Sequence, residues 1–140
     1  MSHRLAAVLF LLAGFVAGAL TQSTLDAQPA ARVFELRTYT APEGKLDDLH
    51  ARFRQHTLRL FEKHGMTNVI YLRPMDAPAS QNQLVYLLAH KDRDAAKASW
   101  AAFASDPDWQ QVARASQANG PLTTKVESVF FTPADYSPLK

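Results

Sequence analysis

The fold of this chain is decided by the stretch VFELRTY, residues 33–39, and by the helical pattern that follows it directly. The stretch is rich in β-branched and aromatic residues, which predicts a first β-strand. From Pro42 to His64, apolar side chains recur at three- and four-residue steps, which predicts one long helix with a single apolar stripe. Pro42 suits the first turn of this helix, and Gly65 can adopt the left-handed conformation that ends it. A strand that leads straight into a long amphipathic helix is the first half of a split βαβ unit.

The rest of the chain supplies two middle strands, a broken helix and a last strand. In order, the predicted elements are strands at 69–72 and 84–89, a helix from Asp92 or Asp94 to Ala104, a second helix that restarts at Asp106-Pro107 and stops at Asn119-Gly120-Pro121, and a strand at 124–132. The order is therefore β-α-β-β-α-β. This order predicts an α+β fold of the ferredoxin-like type.

The two middle strands also predict an oligomer. VIYL at 69–72 and LVYLLA at 84–89 are apolar on both faces, and strands without alternation are covered on both sides. In a chain this small, one layer of helices covers a single face of the sheet. We therefore expect a homodimer in which the second subunit covers the other face.

The beginning of the chain has the pattern of a secretory signal peptide. Arg4 precedes an uncharged apolar run at 5–20, which contains the small residues Ala17-Gly18-Ala19 near its end. The run is slightly shorter than a transmembrane helix requires. We expect cleavage after Ala19 or Ala27 and an exported protein, either periplasmic or secreted. Contact with a membrane is expected only if this segment stays uncleaved.

Length and composition bound the domain organisation. The chain has 140 residues, which is room for one domain. We assign residues 1–27 to the signal peptide and the start of a linker, 28–32 to the rest of the linker, and 33–140 to one folded domain with a C-terminal tail. The net charge is +2, and the basic residues are scattered among acids. Nucleic-acid binding would need a basic stripe, so this class of partner is excluded.

Several familiar kinds of site are also excluded by the sequence. The chain has no cysteine, no glycine-rich phosphate loop and no nucleophile-elbow serine, which argues against covalent catalysis by a known triad. His50, His56 and His64 share the first helix but are not spaced by three or four residues, as metal ligands on one helix would be. The sequence therefore predicts no metal site and no cofactor.

The predicted elements carry a resemblance to the NIPSNAP family, within the wider group of dimeric α+β barrels. The matching pieces are FELRTY at 34–39, GKL at 44–46, FEKHGM at 61–66, NQLVYL at 82–87, AF at 102–103 with DPDW at 106–109, and TKVES at 124–128. They span about residues 33–138. One departure is VIYL at 69–72, where the family often carries a Gly-Phe-Trp-like step.

The resemblance implies a dimer in which two sheets face each other. Relatives that share this barrel include cofactor-independent monooxygenases and haem proteins, whose sites usually lie between the sheet and the helices. Fold alone does not fix chemistry.

The first strand carries a candidate site, because Glu35, Arg37 and Tyr39 share one face. Buried charges need partners, so this face calls for an explanation. One interpretation is a pocket for an anion or a carbonyl group, with Arg37 as the clamp and Tyr39 as a hydrogen-bond donor. The other is an ion-pair network at the dimer interface, in which Arg37 pairs with Glu35 or Glu127.

Aromatic and histidine side chains complete the set of candidates. His56 lies one residue off the apolar stripe, where it can reach the edge of a pocket. Aromatic residues such as Trp109 either line an apolar pocket with polar tips or fill the core. His64 is expected as a cation at the helix end, and His90 is left open between structural and functional roles. The predicted ligand-binding residues are Arg37, Tyr39, His56, Tyr71, Tyr86 and Trp100, of which Tyr39, His56 and Tyr86 are the candidate catalytic residues.

Three functions remain open from the sequence. The first is an exported dimeric barrel that binds a small hydrophobic or aromatic molecule. The second is an enzyme, either a cofactor-independent monooxygenase or an isomerase-like protein. The third is a structural interaction module of the cell envelope.

Overall fold

The structure is a computed structural model and describes residues 32–140. The predicted signal peptide, and the predicted linker up to residue 31, lie outside these residues and stay predictions. Among the described residues, no helix combines the length and the apolar character that crossing a membrane requires.

Four antiparallel strands and two helical regions form the domain. In chain order the elements are β1 (Val33–Thr40), helix α1 (α-helical over Leu46–Arg52 and Leu58–Lys63, with a π-helical segment at Phe53–Thr57 between them), β2 (Thr67–Leu72), the single turn α2 (Ala79–Asn82), β3 (Gln83–His90), α3 (Arg93–Ser105), α4 (Pro107–Ser116) and β4 (Lys125–Phe131). The strands are ordered β2-β3-β1-β4. This is the ferredoxin-like arrangement of the dimeric α+β barrel fold, so the predicted fold class is confirmed.

Helix α1 differs from the prediction at its start and in its middle. The predicted start at Pro42 is wrong, because Gly44 adopts a positive φ of 72° and the regular helix begins only at Leu46. The predicted end is confirmed. Gly65 has a φ of 77°, and the N–H groups of Gly65 and Met66 donate to the carbonyls of Glu62 and Phe61 in a Schellman motif.

The break between α3 and α4 is made by aspartate caps. Of the two predicted caps, Asp92 is the one that accepts a hydrogen bond, from the Ala95 N–H at 2.7 Å. Asp106 accepts from the Asp108 N–H at 2.8 Å, and Pro107 occupies the first turn of α4, as the sequence predicts. Asp106 also fixes where α4 lies, since its second carboxylate oxygen is 2.6 Å from Nε2 of His64 at the end of α1.

The sheet has one face covered by helices and one open face. Residues directly opposite each other in the ladders share a face, so Tyr39 lies with Leu84 and Val126, and Leu36 lies with Leu87 and Val129. The Tyr39 side packs against the helices and forms the core. The large apolar residues that stay exposed on the opposite face are Ile70, Leu72, Val129 and Phe131. We call this surface the open face.

We expect Asp106→Ala to lower the thermal stability of the domain. The change removes both the helix cap and the contact with His64 and Lys63 of α1. The Tm should fall by roughly 4–8 °C, as expected for loss of a cap in a domain of this size.

Two matched variants give this prediction its control, with Tm measured by circular dichroism. Asp106→Asn keeps an oxygen that accepts from the helix and should lose less. Asp108→Ala removes only the exposed partner of Lys63 and should change the Tm little. Equal losses in Asp106→Ala and Asp108→Ala would contradict the role given to the cap.

Candidate functional site

The buried carboxylate of Glu35 is the centre of a hydrogen-bond network between the sheet and α3. Glu35 is 1% exposed. Its Oε1 accepts from Arg37 Nη1 at 2.6 Å and from Ser128 Oγ at 2.7 Å. Its Oε2 accepts from His90 Nε2 at 2.9 Å and from Trp100 Nε1 at 2.8 Å. One carboxylate thus joins β1, β3, β4 and α3.

The network keeps Glu35 ionised. Burial by itself raises the pKa of this carboxyl, but the hydrogen bonds from its four partners outweigh burial and bring the pKa down to about 2. All four hydrogen bonds are donated to the ionised carboxylate. They occupy the lone pairs of both oxygens, so none is left to bind a proton. Glu35 therefore acts as an anchor for other side chains and is a poor general base.

Arg37 extends the network towards the solvent. Its guanidinium group lies 4.1 Å from the ring centroid of Trp100 and 5.6 Å from that of Tyr39. Burial lowers the pKa of Arg37, but Tyr39, Tyr86 and Glu35 together raise it above its ordinary value, so the group stays charged. Its Nε is buried and has no hydrogen-bond partner among the described residues. Arg37 donates one side-chain hydrogen bond among the described residues, to Glu35, so other N–H groups of its guanidinium stay unpaired.

A cleft of about 390 Å³ opens beside Arg37, between α3 and β4. It exists because the helical layer does not extend over β4, where the helix-facing side chains Val126 and Ser128 stay exposed. The lining residues are Glu35, Arg37, Trp100, Ser128 and Phe130, with Arg93, Asp94 and Lys97 at the rim. We call it the sheet–helix cleft.

The tyrosines are packed into the core beneath the cleft. Tyr86 is fully buried, makes an edge contact with Tyr39 at 5.3 Å and stacks on Tyr71 at 5.4 Å between ring centroids. The Tyr71 hydroxyl donates to Asn68, whereas the buried Tyr86 hydroxyl has no hydrogen-bond partner within residues 32–140. Burial raises the pKa of Tyr86 well above 10, and nearby Tyr39 raises it further. Burial also raises the pKa of Tyr71, so the phenols of Tyr71 and Tyr86 are protonated at neutral pH and neither is available as a general base.

The structure gathers most of the predicted site residues, but not all of them. Arg37, Tyr39, Tyr71, Tyr86 and Trp100 lie together between the sheet and the helices. Tyr39, Tyr71 and Tyr86 belong to the packed core and do not line the cleft. The candidate catalytic set is therefore not assembled around one cavity.

His56 lies elsewhere, in a groove of about 680 Å³ between α1 and α4. We call it the helix groove. Arg52 also lines the groove, although it is only 7% exposed, and its guanidinium group is 5.2 Å from the ring centroid of Trp109. The sequence prediction missed Arg52, although its place between Leu49 and Phe53 on the apolar stripe was a visible signal.

The ion pair of Arg37 with Glu35 is as predicted, but its predicted position is wrong. The pair lies on the helix-covered face, beneath Trp100, because residues 35, 37 and 39 alternate towards the helices. Glu127, the other proposed partner, lies on the open face and pairs with Lys125 at 2.9 Å. The pair therefore belongs to the interior of one subunit.

His64 and His90 have structural partners, whereas the buried Nε2 of His50 has none among the described residues. His64 Nε2 contacts Asp106 at 2.6 Å, which agrees with its predicted place at the helix end. His90, left open by the sequence, is buried against Glu35, and the sequence separation of 55 residues hid this contact. Within residues 32–140 no group of three or more His, Cys, Asp or Glu side chains could hold a metal ion.

Comparisons with known proteins agree with this architecture. The model of the NIPSNAP family matches residues 34–138. A NIPSNAP family protein of unknown function from Agrobacterium tumefaciens is 21% identical, with a TM-score of 0.69 over 81% of this chain and 97% of that chain. No curated protein sequence matches the chain significantly.

Two more distant solved structures share the fold. SnoaB, a cofactor-independent oxygenase from Streptomyces nogalater, is 20% identical, with a TM-score of 0.53 over 78% of this chain and 99% of that chain. ActVA-Orf6, a monooxygenase from Streptomyces coelicolor in complex with nanaomycin D, is 15% identical, with a TM-score of 0.53 over 81% of this chain and 96% of that chain. At these identities the likeness shows the fold alone.

We expect Glu35→Gln to change how stability depends on pH. The folded-state pKa of about 2 lies below the ordinary 4.5, so ionised Glu35 stabilises the fold above pH 4.5. That contribution, about 3 kcal/mol by linkage, should be lost as the pH falls from 4.5 towards 2. The variant should be less stable at pH 7 and lose less stability over this range.

Urea unfolding at pH 7, 4.5, 3 and 2.5 measures this effect. Glu43→Gln serves as the control, because Glu43 is exposed, and its pH profile should parallel that of the unchanged protein. Parallel profiles for Glu35→Gln and the unchanged protein would show that Glu35 does not dominate the acid response.

Proposed function

Since this chain belongs to the NIPSNAP family, we propose that it binds a small hydrophobic or aromatic molecule in the sheet–helix cleft. The cleft volume of about 390 Å³ falls in the range of small-molecule sites, roughly 300–1,000 Å³. Trp100 and Phe130 give it two aromatic walls, and such surfaces favour flat apolar ligands.

The observation that carries this proposal is the free Nε of Arg37. Buried N–H groups are nearly always hydrogen-bonded, and this one lies in a side chain that lines the cleft. Glu35 already neutralises the arginine, so the free donor suits a neutral acceptor such as a carbonyl or hydroxyl oxygen. A ligand with an aromatic body and one such oxygen would satisfy both the walls and the donor.

A cofactor-independent oxygenase is the second candidate function. The fold shared with SnoaB and ActVA-Orf6 supports it, as does the presence of nanaomycin D in the latter structure. Oxygenation without a cofactor, or isomerisation, would require a base beside the substrate. Glu35 is fully hydrogen-bonded, and Tyr86 is a protonated donor, so the described residues support binding better than turnover.

We further propose that the chain is exported and works as a homodimer. The apolar run at 5–20 supports export. The open face supports the dimer. Its exposed apolar side chains come from β2 and β4, the strands at the two edges of the sheet, so the apolar surface extends across the whole face. A second copy presents the same apolar surface, and two-fold pairing would cover both at once. A structural module of the envelope would need the same pairing but no ligand in the cleft.

Phe130→Ala should weaken the binding of an aromatic probe. We expect 1-naphthol to bind the dimer in the cleft, and loss of one aromatic wall should raise its Kd about tenfold, as for stacking contacts worth about 1.5 kcal/mol. Tyr136→Ala is the matched control, because Tyr136 is an aromatic residue of the C-terminal tail that is 88% exposed and does not line the cleft. Isothermal titration calorimetry of both variants gives the comparison. Equal Kd values in the two variants, or no binding at all, would contradict the proposed site.

Val129→Lys should convert the dimer to monomers. Val129 lies on the open face and is 51% exposed, so a charge there would be buried between two copies. Val126 is 45% exposed on the same strand but faces the helix side, which makes Val126→Lys the matched control. Light scattering after size-exclusion chromatography measures the mass. A monomeric unchanged protein, or a dimeric Val129→Lys variant, would rule out pairing through this face.

A further inference from the structure

Arg52 carries a buried charge that no acidic side chain of residues 32–140 neutralises. The residue is 7% exposed, and it takes part in none of the ion pairs found among these residues. Its Nε is buried and has no hydrogen-bond partner in the part of the chain that the structure describes. Burial also lowers the pKa of Arg52, since the charged form loses its hydration. Burying a charge destabilises the folded state unless an opposite charge lies beside it. The lack of such a partner therefore suggests that Arg52 pairs with a bound anion.

The helix groove can supply that partner from outside the chain. Arg52 forms part of its wall, and the cavity volume of about 680 Å³ suits a small organic molecule. Ala51, Val112 and Ala115 give the groove an apolar strip, while Gln55 and Gln111 add neutral polar groups. The groove therefore combines a cation with space for an apolar body.

The acidic residues of the groove are already engaged. Asp48 contacts Lys45 at 3.4 Å, and Asp108 contacts Lys63 at 3.2 Å. Arg52 and Arg59 are thus the cations left to set the charge of the groove. Both aspartates still repel a second negative charge, so the groove favours an anion of charge −1 over a dianion.

The backbone of α1 is irregular at the same place. The π-helical segment Phe53–Thr57 begins directly after Arg52, and Thr57 Oγ1 donates to the Arg52 carbonyl at 3.3 Å. The Leu58 N–H donates to the Phe53 carbonyl, five residues back. Such segments are rare, are costly in helix geometry and occur frequently at functional sites.

We propose that the helix groove binds a small organic monocarboxylate. The carboxylate pairs with the guanidinium group of Arg52, and the body of the molecule lies against Ala51 and Val112. A carboxylate fits because its planar pair of oxygens matches one edge of a guanidinium group. This site is separate from the sheet–helix cleft and does not depend on the function proposed for the cleft.

Titration calorimetry with benzoate, hexanoate and inorganic phosphate tests the proposal on the purified protein. Benzoate or hexanoate should bind with one molecule per subunit and more tightly than phosphate. Arg52→Met should weaken that binding about 10- to 100-fold, as expected for losing a hydrogen-bonded charge. Arg54→Met is the matched control, because Arg54 is exposed on the same π-helical segment, does not line the groove and should bind as before.

Thermal unfolding of the unliganded protein separates a binding role from a structural one. Arg52→Met removes an unpaired buried charge and keeps most of the volume, so the Tm should stay the same or rise. A fall in Tm with unchanged carboxylate affinity would mean that Arg52 only supports the packing of Trp109, and would overturn the proposal.

Two further results would overturn it. One is phosphate binding more tightly than both carboxylates, or neither carboxylate binding. The other is competition between benzoate and 1-naphthol, which would place both in one site. If 1-naphthol fails to bind while the Arg52-dependent carboxylate site persists, the proposal for the cleft fails alone.

Discussion

The carboxylate of Glu35 is the constraint on which the arrangement of the site depends. A buried carboxylate must be fully hydrogen-bonded, and its four donors come from β1, β3, β4 and α3. This is possible because β1 lies between β3 and β4 in the sheet, which brings residues from both neighbours beside position 35. The bond from Trp100 then ties α3 to the sheet. Arg37 is held between that indole and Glu35. The position of the cation that lines the cleft therefore depends on the Glu35 carboxylate.

Local sequence patterns predicted the elements of the fold because their causes are local. Asp106-Pro107 restarts a helix by capping it, and Gly65 ends one by adopting a positive φ. The pair of Arg37 with Glu35 was predictable for the same reason, since residues two apart on a strand share a face. His90 and Ser128 were not predictable as partners of Glu35. Their sequence separations are 55 and 93 residues, and only the register of the ladders brings them together.

The apolar stripe of α1 is compatible with its π-helical segment, although the sequence pattern did not predict that segment. Leu49, Phe53 and Thr57 are buried and follow one another at two successive steps of four. In a helix of 3.6 residues per turn, each four-residue step overshoots a turn by about 40°, so two steps drift by about 80°. The wider π turn absorbs this drift and keeps the three side chains facing the sheet. Ordinary apolar stripes also contain consecutive four-residue steps, so this spacing agrees with the irregularity beside Arg52 but does not by itself predict it.

Arg37 and Arg52 show how one difference in pairing separates two kinds of site. Both guanidinium groups lie against an indole ring, at 4.1 Å from the ring centroid of Trp100 for Arg37 and at 5.2 Å from that of Trp109 for Arg52. The phenols of Tyr39 and Tyr86 act to raise the pKa of both arginines. Arg37 has Glu35 as a counterion, and its pKa is raised. Arg52 has no counterion among the described residues, and burial lowers its pKa. A ligand at Arg37 meets N–H donors whose charge Glu35 already neutralises, which favours a neutral acceptor. A ligand at Arg52 must bring the missing charge, which favours an anion. The chemistry expected of each cavity thus follows from whether its arginine is already neutralised.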